Sequence, residues 1–308
     1  MKRYFLIIAL SLIVLSGCKT SKNATDDSQK EIWQTILVKQ LDATIENQII
    51  TAKYNNGTTL YYRILDNFGN VALTWDRTGG RKSPDEGYSA YKGDIDIPSF
   101  VVSGANEEFM FRVVEIDDNA FKGCTNVTSI NIPYSINRIL NNAFSGCSAL
   151  TKISVNQNNP VYMDVDGILF SKDNKMLIKY PAKRNIVEYI INEEVSFICP
   201  EAFQDCAYLK KLTVGNFVTA ISDYAFKNCK ALEEVTLGGN VRIIGVESFF
   251  GCEKLATINS RGIFPPHNCP TVFEDVTKQN CKVYVPKGQL FNYKRRLEWG
   301  EFKNMVEF

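Results

Sequence analysis

The sequence predicts a β-rich solenoid, a chain wound into short coils that lie against one another, and two observations predict it. The first is a short motif: Ala or Ser, then Phe, two variable residues and Cys. It occurs at Ala120-Phe121-Lys122-Gly123-Cys124, Ala143-Phe144-Ser145-Gly146-Cys147, Ala202-Phe203-Gln204-Asp205-Cys206, Ala225-Phe226-Lys227-Asn228-Cys229 and Ser248-Phe249-Phe250-Gly251-Cys252. The steps from 120 to 143, from 202 to 225 and from 225 to 248 are all 23 residues, and the step from 143 to 202 is 59. The second observation is that the match runs through eight columns. Four residues before the motif stand Ile116, Ile139, Ile198, Ile221 and Ile244, and three before those stand Val113, Ile136, Val195, Val218 and Val241. Three residues after each Cys stand Val127, Leu150, Leu209, Leu232 and Leu255, followed by Ile130, Ile153, Leu212, Val235 and Ile258. The last column is Ile132, Val155, Val214, Leu237 and, as the only polar lapse, Ser260.

Each unit reads L-x-x-I-x-I from the Leu column onward, and the final apolar pair, two residues apart, has the period of a half-buried strand. A single coil buries too few apolar side chains to offset the entropy of ordering its backbone, so the units must stack. That signature and the 23-residue length resemble the leucine-rich repeat. In more detail, the I-x-x-x-A-F-x-x-C-x-x-L-x-x-I-x-I core resembles the BspA-like leucine-rich repeats of bacterial surface proteins, over Val113 to about Pro286, or 174 residues. The resemblance implies a leucine-rich-repeat solenoid of right-handed α/β-type coils with short strands, spanning 113–286. The 36 residues in excess, taken as 159–194, look like the hairpin-bearing long repeat of that family. Composition reads the same way: Ile168-Leu169-Phe170 and Met176-Leu177-Ile178 are short strands joined by the turn Lys172-Asp173-Asn174-Lys175.

Both ends of such a stack need covers, since an open coil offers its apolar face to water. Residues 31–112 read as a β-rich N-terminal cap, from alternating runs such as Leu60-Tyr61-Tyr62-Arg63-Ile64 and Val71-Ala72-Leu73-Thr74-Trp75, and from Tyr91 to Pro98 as a lead-in strand. Within it, Ser28-x-x-Glu31 ahead of Trp33, Leu37 and Leu41 has the spacing of a capped helix. Residues 287–308 read as a C-terminal cap: Phe273 falls one residue late, Val283-Tyr284-Val285 still resembles a strand, and Lys287 to Leu297 forms a short helix. Leu290, Tyr293 and Leu297 are expected to point inward, with Trp299 and Phe302 closing the stack.

The amino terminus suggests where the protein resides. Lys2 and Arg3 precede the apolar run Phe5–Val14, too short to span a bilayer, which ends in Leu15-Ser16-Gly17-Cys18. This resembles the lipobox of bacterial lipoproteins and implies a signal peptide over 1–17 with lipid attached to Cys18. Residues 18–30 are polar and read as a tether; Asp26 and Asp27 lie in it. No second membrane-length apolar stretch follows, so the remainder is expected to be water-soluble. Without Lys2 and Arg3 the formal charge passes from +1 to −1, a near-neutral balance that argues against a nucleic-acid binder, which would show a basic stripe.

Catalytic chemistry is hard to assemble from these residues, and none is expected. His267, the single histidine, sits in the turn Pro265-Pro266-His267-Asn268-Cys269 without an evident orienting neighbour. The Cys column reads as small buried thiols, with neither C-x-x-C spacing nor a nearby His, so no metal or cofactor is expected. Cys269 and Cys281 could be bridged or free. Asp164-x-Asp166-Gly167 opens like a calcium loop, but Ile168, Leu169 and Phe170 follow where oxygens are needed, so it reads as a hairpin turn. Thr78-Gly79-Gly80-Arg81-Lys82 lacks phosphate-loop spacing, Glu233 and Glu234 point to opposite faces, and Lys92-Gly93-Asp94, a tripeptide some integrins recognise, reads as the entry to a strand.

Surface recognition is left. The outward strand positions are Ser129, Asn131, Lys152, Ser154, Lys211, Thr213, Glu234, Thr236, Thr257 and Asn259, expected to form one continuous polar face without aromatics. Such a face suits a protein partner better than a sugar. The expectation is a monomeric, lipid-anchored protein of the outer membrane or cell surface, non-enzymatic, that adheres to host matrix or other bacterial surface proteins. The alternative is a glycan-binding accessory lipoprotein of a nutrient importer, motivated by Tyr54, Tyr61, Tyr62, Trp75, Tyr88 and Tyr91.

Overall fold

The computed structural model describes residues 41–44, 49–54, 57–66, 69–76, 91–103, 109–269 and 271–308. Outside them lie the leader with Cys18, the tether, the helix expected over Ser28 to Leu37, Gly79, Gly80 and Tyr88. Leu41, assigned above to that helix, begins the strand Leu41–Thr44 instead. Among the described residues, no helix is long and apolar enough to cross a membrane.

From Val113 onward the chain is a β-solenoid whose coils carry two strands each. The longer strand follows the Leu column: Lys211–Thr213, Glu234–Leu237 and Thr257–Ser260 pair in parallel, with Lys211 opposite Glu234 and Glu234 opposite Thr257. The shorter strand precedes the motif: Phe197–Ile198, Ala220–Ile221 and Ile243–Ile244 also pair in parallel. No α-helix lies within these coils, so the α/β-type coil expected above is turn-built on its far side. Its turns have a cause. Two backbone positions per coil adopt positive φ: the residue before Ala or its equivalent (Asn119, Asn142, Glu201, Tyr224, Glu247, Thr271) and the residue before Cys or its equivalent (Gly123, Gly146, Asp205, Asn228, Gly251, Asp275). Gly, Asn and Asp tolerate this left-handed conformation, which accounts for G, D or N before every Cys.

The core is a row of aromatic rings. Phe203, Phe226, Phe249 and Phe273 follow one another at centroid distances of 5.1, 4.9 and 5.5 Å. Nearer the amino terminus, Tyr91, Phe121 and Phe144 form a second row at 5.2 and 5.8 Å. Backbone bonds run coil to coil beside the rings: Phe203 N–H donates to the Ala225 carbonyl at 2.7 Å and Phe226 N–H to that of Ser248 at 2.8 Å. The cysteines join in. The thiols of Cys147, Cys229 and Cys252 donate to the carbonyls of Phe121, Phe203 and Phe226 at 3.2, 3.1 and 3.3 Å, each in the preceding coil. Eight cysteines, Cys269 and Cys281 among them, are free thiols.

The 36 excess residues are a hairpin only in part. Tyr162–Val165, Ile168–Ser171 and Met176–Lys179 form an antiparallel meander, turning first through Asp166 and Gly167, both at positive φ as a tight hairpin requires. Met176–Lys179 then pairs in parallel with Phe197–Ile198, and Glu188–Ile190 with Lys211–Thr213. Tyr180 takes the Phe slot, stacking on Phe203 at 4.8 Å. This stretch therefore contains a complete additional coil; hairpin residues alone do not fill 159–194. The apolar core divides here: Leu169 packs with the cluster running back to Ile50, and Ile168 and Phe170 with the one running on to Met305.

The ends are closed differently. At the amino end, Ile49–Lys53, Thr59–Ile64 and Asn70–Thr74 form a meander, and Phe109–Ile116 joins it in parallel before pairing with Arg138–Ile139 of the first full coil. Arg63 fastens the join, donating to both carboxylate oxygens of the buried Asp117 at 2.8 and 2.9 Å, while Arg138 meets buried Glu115 at 3.2 Å. At the carboxyl end a five-residue helix, Leu290–Lys294, is shorter than expected, and Leu297 is exposed, not inward. Tyr293, Trp299 and Phe302 are buried, with Trp299 and Phe302 edge-on to Phe273 at 5.1 and 5.2 Å. The chain ends in a strand that sequence pattern did not suggest, Asn304–Glu307, parallel to Lys282–Val285. The polar lapse at Ser260 is explained here, since its hydroxyl lies 2.8 Å from the Tyr293 hydroxyl of the cap.

Two outcomes follow from this packing. Phe226→Ala removes a ring held between two others and should lower stability by about 3 to 5 kcal/mol in equilibrium denaturation; a loss under about 1 kcal/mol would contradict the ring row. Burial also pushes the thiols up from their ordinary 9.0, Cys124 to about 11 and Cys199 and Cys281 to about 12, and it raises Cys206 and Cys252 as well. A folded pKa above the unfolded one means this stabilisation is full below about pH 9 and is lost as pH rises through the folded values. The melting temperature should fall between about pH 9 and pH 12, and thiolate reagents should spare the column until the chain is denatured.

Candidate functional site

The outward positions of the longer strands come from a simple alternation. In Lys211–Thr213 the apolar Leu212 faces inward, so Lys211 and Thr213 face out, and the same holds coil after coil. Parallel pairing brings Ser129 opposite Lys152 and Asn131 opposite Ser154, and elsewhere Lys211 opposite Glu234, Thr213 opposite Thr236 and Thr236 opposite Asn259. Nine of the ten residues are half-buried or exposed; Thr236 is buried, at 7% exposure. Its hydroxyl lies 3.3 Å from Asn259 Nδ2, which also donates to Glu234 Oε1 at 2.9 Å. Side chains on both flanks have closed over it.

The face is also not continuous. Ser129, Asn131, Lys152 and Ser154 belong to a three-stranded sheet with Lys92–Asp96, whereas Lys211 to Asn259 belong to a six-stranded one. Between them sits the Asp164–Gly167 turn: Ile153 N–H donates to the Gly167 carbonyl at 2.9 Å and Val155 N–H to Asp164 Oδ1 at 2.7 Å. Asp164 is therefore occupied as a turn residue. The first patch is acidic at its edge. Hydrogen bonds from Ser129 and Thr128, both 2.7 Å, hold the Asp94 carboxyl below the usual carboxylate range, and Asn131 donates to Asp96. The Lys92-Gly93-Asp94 tripeptide is thus built into a strand. The second patch carries the ion pair Lys211–Glu188 at 3.3 Å, and Glu233 meets Lys210 at 2.9 Å on the other side of the strand from Glu234.

His267 does not lie in a free turn as expected. His267–Asn268 is a short strand pairing with Ile243–Ile244, and His267 lines a cavity of about 510 Å³ with Arg242, Phe264, Pro265, Asn292, Arg295 and Arg296. Nothing in the sequence marked this grouping, because its members come from three separate segments. Of the aromatics near the amino end, Tyr54, Tyr62 and Tyr91 are buried; the Tyr54 and Tyr62 hydroxyls lie 2.8 Å apart, and Tyr91 donates to the Thr74 carbonyl. Among the described residues, no group of three or more His, Cys, Asp or Glu could hold a metal ion.

Comparison with known proteins places this architecture. The model of the BspA type leucine rich repeat region matches in six copies over residues 103–170 and 180–268, half of the chain. A leucine-rich repeat protein from Eubacterium ventriosum is similar in structure at 28% identity, TM-score 0.51, over 63% of this chain and 48% of that one. The chain thus spans about half the length of that protein. A leucine rich cell surface protein from Faecalibacterium prausnitzii aligns over 81% of this chain and 97% of its own at 17% identity and TM-score 0.41. The pneumococcal vaccine antigen PcpA aligns over 88% and 99% at 15% identity and TM-score 0.38. No curated protein matches. The matched residues fall on the coils described above, and the chain belongs to the BspA-type leucine-rich repeat family.

Proposed function

We propose that the chain is a lipid-anchored cell-surface protein that works as a non-enzymatic scaffold, binding a protein partner through the sides of its repeat stack. The observation that carries this reading is the solenoid itself. Coil-to-coil pairing at fixed register presents polar side chains on a rigid surface, which suits recognition of a large partner. The lipobox-like Leu15-Ser16-Gly17-Cys18 and the family's bacterial surface proteins support the location. Burial of Tyr54, Tyr62 and Tyr91 favours a protein partner over a glycan, since these rings are committed to the core and give no platform for sugars.

Three measurements test the reading. Cys18→Ala should move the chain from the membrane fraction to the supernatant, and protease shaving of intact cells should remove the wild type. The purified chain, immobilised and exposed to host-matrix and bacterial-surface extracts, should enrich a specific protein; enrichment of none, or a chain untouched by shaving, would overturn it.

A further inference from the structure

Seven described cations along the chain meet carboxylates. Lys210 pairs with Glu233, Lys211 with Glu188, Lys227 with Glu247, Lys230 with Glu253, Lys278 with Glu298 and Glu301, Arg63 with Asp117 and Arg138 with Glu115. The cavity at the carboxyl end gathers three cations that do not. Arg242, Arg295 and Arg296 line it, and none forms an ion pair with a described carboxylate. Arg296 Nη2 instead lies 3.3 Å from His267 Nε2, and the Arg295 guanidinium lies over the Phe291 ring at 5.1 Å. The nearby buried carboxylate is turned away: Glu298 accepts from the Thr271 and Phe273 backbone N–H groups and lies 3.4 Å from Lys278.

Phe264 lines this cleft, Ile263 precedes it in sequence, and Phe291 lies under the Arg295 guanidinium. Ile263, Phe264 and Phe291 are 62, 60 and 67% exposed. They are not loose. The Tyr293 hydroxyl donates to the Gly262 carbonyl at 2.9 Å, tying the loop to the capping helix, and a side chain on Gly262 would meet the Phe264 carbonyl oxygen at 2.9 Å. The tight turn at Gly262 accompanies outward placement of the two following side chains. Exposed rings beside unpaired guanidinium groups have the composition of a protein-binding hot spot.

We propose that this cleft docks an acidic peptide segment of the protein partner, its carboxylates held by Arg242, Arg295 and Arg296 and an apolar side chain set against Phe264. The proposal rests on the protein-binding reading above and names the chemistry of the partner. Guanidinium groups match carboxylates bidentately, which supplies orientation as well as attraction. A bare polyanion such as a sulfated polysaccharide would need the arginines but would leave the exposed Ile263, Phe264 and Phe291 without a role.

The test is fluorescence anisotropy on the full chain purified in detergent, with a labelled peptide carrying glutamates on both sides of a central phenylalanine. Binding should weaken with added salt and fall about tenfold or more in the Arg295→Gln, Arg296→Gln double variant. It should fall also in Phe264→Ser, and when serine replaces the peptide's phenylalanine. Because these side chains are at the surface, an unchanged melting temperature separates lost binding from lost folding. Absence of peptide binding, or binding indifferent to the arginine variants, overturns the proposal. So does heparin binding more tightly than the peptide with no loss in Phe264→Ser. Peptide binding while surface extracts yield no partner would discard the adhesion reading and keep the cleft. A partner captured equally by the arginine double variant would discard the cleft and keep that reading.

Discussion

Lateral stacking is the constraint on which the rest of this structure depends. A coil of 23 residues has no interior of its own; its Phe ring becomes buried only when the neighbouring coils supply rings on either side. The hydrogen bonds follow the same logic, since the N–H of Phe203 or Phe226 has no acceptor in its own turn and takes one from the next coil. The buried thiols add bonds in the opposite direction, from Cys229 and Cys252 to the Phe carbonyls of the preceding coil. Cys is therefore suited to its column as a small, weak donor that can be buried against a carbonyl; Ser there would be a stronger donor with a larger desolvation cost.

Stacking also explains why the interruption does not break the molecule. The Tyr162–Lys179 meander leaves the solenoid, but its last strand re-enters the short-strand sheet beside Phe197–Ile198, and Tyr180 offers Phe203 the ring it needs. Lys179, buried in the slot that Ala occupies elsewhere, donates to the Glu201 carbonyl at 2.7 Å, so its charge is hydrogen-bonded within the turn of the next coil. The additional coil keeps the strand pairing and ring stacking of the repeat while abandoning most of its letters and both of its positive-φ positions.

That distinction sets how much could be read in advance. The columns of Ile, Val, Leu and Phe made the solenoid legible, because apolar periodicity is what burial imposes. The coil around Tyr180 was not legible as a repeat, since Lys183 and Ile186 stand where Cys and Leu would be; the signal present was the 23-residue step from Tyr180 to Phe203, Tyr189 to Leu212 and Ile191 to Val214. Positive φ before each Cys can be read from Gly, Asp and Asn, but not before Ala, where Glu201, Tyr224 and Thr271 adopt it. The strand alternation identified which residues point outward. It could not tell that Thr236 is sunk between neighbours, or that the Asp164–Gly167 turn divides the face, because both depend on what lies one coil away.

Register finally decides where charge is satisfied and where it is left over. Lys210 and Glu233, Lys230 and Glu253, and Glu188 and Lys211 are each one period apart, so a coil with a cation in a given column meets its counter-charge on the next coil. That device needs a next coil. Ile243 is opposite His267, so the residue facing Arg242 is Pro266, and the turn that follows gives it no carboxylate. Arg295 and Arg296 come from the cap, which is not a repeat and obeys no column. Pairing at one period therefore serves neighbouring regular coils and has no counterpart where the last coil meets the cap. The cavity around His267 lies at that junction, where the period has slipped by one residue and the pairing rule no longer applies.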